Sequence, residues 1–449
     1  MILELRGKKV LVVGLGVSGR AAALLCLAQG AVVRATDLNP IPPVADELAA
    51  AGVRLSLGGH QEPDFSWAEL IVLSPGVDHR LPEVEQARAA GTEVIGELEL
   101  GWRFTKCPTV MITGTNGKST VTTLVGDILN QAGFKTLVGG NLGRPVCDMA
   151  LESGEADWLV AEVSSFQTDT MDKLRPRVGV VLNITPDHQD RYPDFAAYAH
   201  SKMRLLANQA GDDVAVLCAD EPEVWSRRDA APAQVWGYGA DGPKRPGGWL
   251  EGGELVLDAG GKSLRLPLPS GHLAIGFNRL NCLAACLAAL ACGAEAPAMR
   301  AALESFQALG HRLALVGEKG GVSFYDDSKG TNVGAVAAAL GALEQPVVLL
   351  LGGRDKDGRF ADLGPLLAER AARVICFGEA GPKIQAQIKD FALSHTAPDL
   401  AAAVHEAAQT AAPGQAVLLS PGCASFDAYS GYAQRGEHFH ELVREVMHG

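Results

Sequence analysis

Short apolar runs that end in Gly, Asp or Ser alternate along this chain with Ala- and Leu-rich segments of helical period, the rhythm of parallel α/β units. That rhythm restarts twice. The first unit opens at "KKVLVVGLGVSGRAAALLCLAQG", continues through "AVVRATD" and "AELIVLSPGV", and fades near "GWRFTKCP", which sets a boundary at about residue 106. A second unit opens at "TVMITGTNGKST" and runs through "DWLVAEVSS", "VGVVLNITPDH" and "DDVAVLCAD". Between about residues 234 and 270, Gly and Pro cut the chain into short strands that read as hairpins on an α/β core, and "NRLNCLAACLAALACG" follows as a long helix. Past "FQALGHRLAL", near residue 309, "VSFYDDS", "PVVLLLGG", "ARVICFG" and "AVLLSPG" make a third open parallel sheet. The expected fold class is α/β in three domains, over 1–106, 107–309 and 310–449.

Composition removes several function classes. A chain of 449 residues with 47% hydrophobic and 20% charged residues is that of a compact, multidomain soluble protein. Its formal charge of -13 carries no run of like sign, so no nucleic-acid partner is expected. The apolar runs "LAACLAALAC" and "VVLLLGG" are too short to span a bilayer and "MILELRGKKV" lacks the features of a signal peptide. A cytoplasmic enzyme of small molecules, monomeric by default, is expected. Nine scattered cysteines, without a C-x-x-C pair, read as reduced, buried small hydrophobes.

Two glycine-rich turns carry the chemistry. Gly14, Gly16 and Gly19 in "VVGLGVSG" follow a strand and open a helix, and Asp37 ends the next strand, which is the dinucleotide fingerprint. Its glycines let backbone approach a diphosphate at a helix N-terminus whatever nucleotide carries it. A dinucleotide, a UDP-sugar and a structural turn without ligand all satisfy that loop. The second turn, "VMITGTNGKST", differs from a standard phosphate loop: Ile112 stands where the first glycine would be and Gly114 comes two positions late. The chemical parts remain. Gly114 and Gly117 free backbone N–H groups for phosphate oxygens, Lys118 supplies a point charge, and Ser119 or Thr120 a hydroxyl for Mg2+.

Taken together, "GTNGKST", "EVSSFQ", "NITPDHQDRY", "AYAHSKMRL", "FNRLN", "GHRLA", "DDSKGTN" and "LLSPGCASFD" resemble the Mur ligase family, in order and over nearly the whole chain. The resemblance implies a Rossmann-like UDP-binding domain, a central P-loop-type ATPase domain with a parallel sheet, and a C-terminal Rossmann-like domain. It implies ATP and two Mg2+ as cofactors, and ligation of D-glutamate to UDP-N-acetylmuramoyl-L-alanine through an acyl phosphate and a tetrahedral intermediate; the residues themselves fit either enantiomer. Lys118, His188 and Lys202 resemble its catalytic residues. Gly114, Thr115, Asn116, Gly117, Lys118, Ser119 and Thr120, with Asn278, Arg312 and Asp327, resemble the ATP site. Ser119, Glu162, His188 and Lys202, the last as a carbamate, resemble the metal ligands.

At the UDP end the resemblance implies Gly14, Leu15, Gly16, Val17, Ser18, Asp37, Leu38, Ser74, Pro75 and Gly76, with Asn141 and His188 toward the reacting carboxylate. For the incoming glutamate it implies Lys329, Thr331, Lys356, Ser425, Phe426 and Tyr432, a set of cations and hydroxyls on strand-end loops that suits a dicarboxylic amino acid. Two positions depart from the pattern: Phe277 stands where the family often has His, and Arg354 where some members have Asp. Two other readings compete. A folylpolyglutamate synthase-like enzyme shares the ATP machinery but lacks the N-terminal unit, and a regulatory nucleotide-binding protein would not need Lys118, Glu162, His188 and Lys202 together.

Overall fold

The computed structural model describes residues 3–448. Three sheets follow one another along the chain. The first is parallel, in the order β3-β2-β1-β4-β5, from β1 (Lys9–Val13), β2 (Val32–Asp37), β3 (Arg54–Leu57), β4 (Leu70–Leu73) and β5 (Glu93–Gly96). The second has nine strands: β6 (Thr109–Thr113), β7 (Thr136–Gly140), β8 (Trp158–Glu162), β9 (Val178–Val181), β10 (Val214–Cys218), β11 (Gln234–Gly239), β12 (Gly247–Glu251), β13 (Glu254–Ala259) and β14 (Lys262–Pro267). Their order is β14-β13-β12-β11-β10-β9-β6-β8-β7, parallel from β7 to β12, with β13 and β14 added as antiparallel hairpins in the Gly/Pro-rich stretch. The third sheet runs β15-β16-β20-β17-β18-β19, from β15 (Ala314–Lys319), β16 (Val322–Asp326), β17 (Val347–Gly352), β18 (Ala371–Phe377), β19 (Ser394–Thr396) and β20 (Ala416–Leu419).

Strand periodicity explains why helices cover both faces of the outer sheets. Side chains alternate across a strand. In β1, Val10 and Val12 enter one core with Ala22, Leu25 and Cys26, whereas Leu11 and Val13 enter another with Phe65 and Val84. The third sheet repeats the device: Leu349 and Leu351 pack on one side, Val348 and Leu350 on the other. Both faces being apolar, the strands read as continuous hydrophobic runs, as in buried parallel sheets.

By packing, the chain forms two compact units. One comprises residues 1–184, 199–268 and 280–305, and so holds the first two sheets; the other comprises 185–198, 269–279 and 306–449, with the third sheet. All nine cysteines are free, eight buried and Cys107 half-buried, and burial pushes the Cys26 and Cys282 thiols up to about 12. The eight buried ones are unreactive core residues. No helix among the described residues is long and apolar enough to cross a membrane.

Candidate active site

In the first unit, β1 ends in a turn whose glycines have separate tasks. Gly14 sits at φ 87, in the left-handed region, and a Cβ there would fall 2.7 Å from Val77 Cγ2. Gly19 packs the following helix, Val17–Ala28, onto the strand: a Cβ would fall 1.8 Å from the Gly14 carbonyl oxygen. At Gly16, the helix N-cap, a Cβ would meet nothing within 4 Å. That position opens onto a cavity of about 720 Å³. Every residue expected at the UDP end except His188 lines this one cavity, Asn141 from the loop after β7 included.

Asp37 has a second task there. Its carboxylate accepts hydrogen bonds from the Leu15 and Asn39 N–H groups, at 2.7 Å for the latter, so it fixes the glycine turn as well as lining the cavity. Ser74 likewise donates to the Gly14 carbonyl at 2.7 Å. Sequence reasoning missed His60, Leu81 and Gln167 in the lining. Gln167 carried a signal, since Ser164 and Gln167 form a capping box on the short helix Ser165–Thr168.

The second turn lies after β6 and leads into the helix Lys118–Gln131. That helix begins at Lys118 because Gly117 takes the N-cap at φ 85. A Cβ on Gly117 would fall 2.6 Å from Asn281 Oδ1, and one on Gly114 would fall 3.0 Å from Leu182 Cβ. The loop is braced from β9's end, where Asn183 accepts from the Thr115 N–H at its carbonyl (2.8 Å) and from the Asn116 N–H at Oδ1 (2.8 Å). Lys118 Nζ donates to the carbonyls of Gly114 (3.0 Å) and Thr115 (2.9 Å). Lys202, buried on the helix Phe195–Met203, donates to the same Gly114 carbonyl at 2.8 Å.

Behind the loop, Glu162 at the end of β8 accepts from Ser119 Oγ at 2.5 Å and from Asn141 Nδ2 at 2.7 Å. A hydroxyl and a buried carboxylate converging at the base of a phosphate-type loop are hard oxygen donors of the kind Mg2+ takes. The chain of contacts matters. Asn141 lines the large cavity and touches the carboxylate that touches the phosphate loop, so the two turns communicate through two hydrogen bonds.

The second unit holds the remaining expected residues. Thr331 and Lys356 line a cavity of about 220 Å³. Lys329 places its ammonium 4.0 Å over the Tyr432 ring, a cation–π contact. Ser425 is buried, while Phe426 beside it is 63% exposed. Arg312 lies near Asp327, whose carboxyl burial pushes up to about 7 against the Ser420 hydrogen bond and the Arg312 charge. Asn278 donates to the carbonyl of His272 at 3.1 Å, and burial followed by the Arg312 charge holds that imidazole below its ordinary value.

Asp187 is the residue the sequence pattern missed most clearly. Lys356 Nζ reaches its Oδ1 at 2.7 Å and Asn332 Nδ2 its Oδ2 at 3.0 Å. Burial pushes this carboxyl up, but the Lys356 and His188 charges and the two hydrogen bonds outweigh it and hold it below the aspartate range. Its neighbour His188 adopts φ 54, a left-handed conformation that histidine tolerates better than most residues, and donates its N–H to Asp187 Oδ1 at 2.9 Å. Arg435, fully buried, was also missed. It donates to the carbonyls of Ser328 (2.8 Å) and Cys423 (3.2 Å), and so holds the loops that carry Lys329 and Ser425.

A glycine turn of dinucleotide type, a shortened phosphate loop with its acid, and a third doubly wound domain define a three-domain nucleotide-dependent ligase. The chain belongs to the Mur ligase family: residues 8–96 match the Mur ligase MurD-like N-terminal domain, 112–289 the Mur ligase middle domain, and 311–423 the Mur ligase glutamate ligase domain. Among curated relatives, the UDP-N-acetylmuramoylalanine–D-glutamate ligase of Trichlorobacter lovleyi is 39% identical over 99% of this chain and 100% of its own, and that of Desulfosudis oleivorans 42% identical over 100% and 98%. Solved structures share the fold at lower identity. A pseudomurein peptide ligase type C from Methanothermus fervidus aligns with TM-score 0.63 at 19% identity, over 98% of this chain and 100% of that one. The E. coli FolC structure aligns with TM-score 0.57 at 18% identity, over 77% of this chain and 90% of that one.

Proposed function

We propose that this protein is a cytoplasmic, monomeric ligase that uses ATP to join D-glutamate to UDP-N-acetylmuramoyl-L-alanine, giving ADP and phosphate, in peptidoglycan precursor synthesis. Full-length relatives bearing that name support the reaction. One observation carries the reading: the cavity lined by Gly14 to Ser18 is linked through Asn141 and Glu162 to Ser119 of the phosphate loop. A substrate held by its uridine diphosphate in the first domain would so present its far end to the nucleotide. Domain boundaries near residues 106 and 309 fit this division of labour.

In the proposed reaction an oxygen of the alanyl carboxylate attacks the γ-phosphorus of ATP and the bond to ADP breaks. The glutamate nitrogen then attacks the acyl carbon, loses a proton, and phosphate leaves as the amide forms. Backbone N–H groups at the helix start, from Gly117 to Thr120, hold the phosphates, while Lys118 balances the charge that moves off the γ-phosphoryl group. Ser119 and Glu162 would hold one Mg2+; Lys202, as a carbamate, and His188 are each proposed as metal ligands. Bound Mg2+ supplies charge neutralisation between two anions that must approach. Lys329, Thr331, Lys356, Ser425, Phe426 and Tyr432 receive the amino acid; Asn278, Arg312 and Asp327 serve ATP.

The test is phosphate release from ATP with UDP-N-acetylmuramoyl-L-alanine and D-glutamate, L-glutamate or no amino acid. Release that needs both the UDP substrate and D-glutamate is expected. Release with L-glutamate alone changes the acceptor, and none with either removes the assignment.

A further inference from the structure

Three side chains of the second unit converge on one buried carboxylate. His311 Nδ1 lies 2.6 Å from Asp326 Oδ2, and His440 Nε2 lies 2.8 Å from the same oxygen. The donor atoms of the three residues all fall within 4.8 Å of one another. We propose that His311, Asp326 and His440 form a binding site for a borderline divalent transition metal of the Zn2+ class. Two imidazole nitrogens and one carboxylate oxygen make a three-ligand set with a fourth position left for water. Imidazole favours Zn2+, Co2+ or Ni2+, whereas Mg2+ prefers an all-oxygen shell.

The surroundings are those of a built site. Asp326 is fully buried, the His311 side chain is 15% exposed and that of His440 37%, so the cluster is closed behind the carboxylate and open to solvent at the imidazoles. The other carboxylate oxygen, Oδ1, accepts the Ser328 N–H at 2.8 Å, which turns Oδ2 toward the two rings as an outer-shell partner does for a metal ligand. His311 is held at φ 61, and its carbonyl accepts the Lys329 N–H at 3.0 Å. Gly436, one turn before His440, keeps the ring's place clear: a Cβ there would fall 2.1 Å from His311 Nδ1. The ligands come from three elements, namely the segment before β15, the end of β16, and the C-terminal helix Tyr432–His448. A metal would therefore tie that helix to the two segments that carry Arg312, Asp327 and Lys329.

The same atoms could serve only as a hydrogen-bonded clasp, and metal titration separates the two. Zn2+ is titrated by calorimetry into the full-length protein in a large excess of Mg2+, and Co2+ binding is followed by visible absorption. The expected result is one Zn2+ per chain, with affinity reduced at least about tenfold in both His440→Ala and His311→Gln. Co2+ should give d–d bands without a thiolate charge-transfer band. Melting temperature and near-ultraviolet circular dichroism without metal verify that each variant folds. If one does not, the other variant and the wild-type Co2+ spectrum still decide. No Zn2+ binding by the wild type, equal affinity in the folded variants, or a thiolate band that moves the ion to a cysteine would each overturn the proposal.

Discussion

The two glycine-rich turns of the first unit join a strand to a helix in the same way and are built to opposite ends. The turn after β1 offers backbone and space. Its carboxylate, Asp37, is spent on the Leu15 and Asn39 N–H groups, and Gly16 faces an open cavity. The turn after β6 is crowded with charge: Lys118 and Lys202 meet at the Gly114 carbonyl, and Glu162 stands behind Ser119. A group that is only held needs donors and room, whereas a group that loses a bond needs point charges that follow the moving electrons.

Lys118→Ala tests the contrast most severely. It should lower kcat for phosphate release by about a hundred- to a thousandfold. Calorimetric affinity for the UDP substrate should stay unchanged, and loss of that affinity would break the division between the turns. The reverse experiment touches the first turn. Gly19→Ala, which drives a Cβ into the Gly14 carbonyl, should destabilise by about 1–3 kcal/mol in denaturant titration. Gly16→Ala should leave stability within about 0.5 kcal/mol. It should weaken UDP-substrate binding about tenfold, or about 1.4 kcal/mol.

Buried carboxylates at the strand ends extend the comparison. Glu162 has a partner on each oxygen, while Glu97, following β5, accepts from the Cys147 N–H at 2.8 Å on Oε1 and has no hydrogen-bond partner on Oε2. Burial pushes Glu97 up to about 7, against the lowering bond from Cys147. Between the unfolded value near 4.5 and about 7 the folded state then holds the extra proton, so stability is full below that window and falls as pH rises through it. The loss approaches about 3 kcal/mol at most. Glu97→Gln should flatten this part of the stability profile, measured by urea unfolding from pH 4 to 8. Asp187 has the opposite sign, its contribution being present at neutral pH and lost as pH falls below the aspartate range. The smallest effect belongs to the link between the turns: Asn141→Ala should raise KM for both the UDP substrate and ATP a few-fold, in line with about 1 kcal/mol for one hydrogen bond.

The parts of the site that were legible are those whose chemistry is local. Gly14, Gly16 and Gly19 lie within one turn and one helix start, and Gly114 to Ser119 within another, so their spacing in sequence is their spacing in space. His60 and Leu81 reach the cavity from separate loops and left no pattern. Lys356 was found as a cation, but its partner Asp187 lies 169 residues away. Arg435 looked like any helix-surface arginine. Only packing shows that it is buried and serves Ser328 and Cys423.

The sequence by itself determined the α/β class, the two phosphate-type turns and the family, because strand periodicity, glycine at special φ and short motifs are properties of neighbouring residues. The tertiary structure alone decided that Asn141 joins the cavity to Glu162, that Asp187 restrains Lys356, and that two histidines share the Asp326 carboxylate. Those contacts are made across sheets and between segments far apart in the chain, where partner choice depends on which strand ends and helix faces the fold brings together.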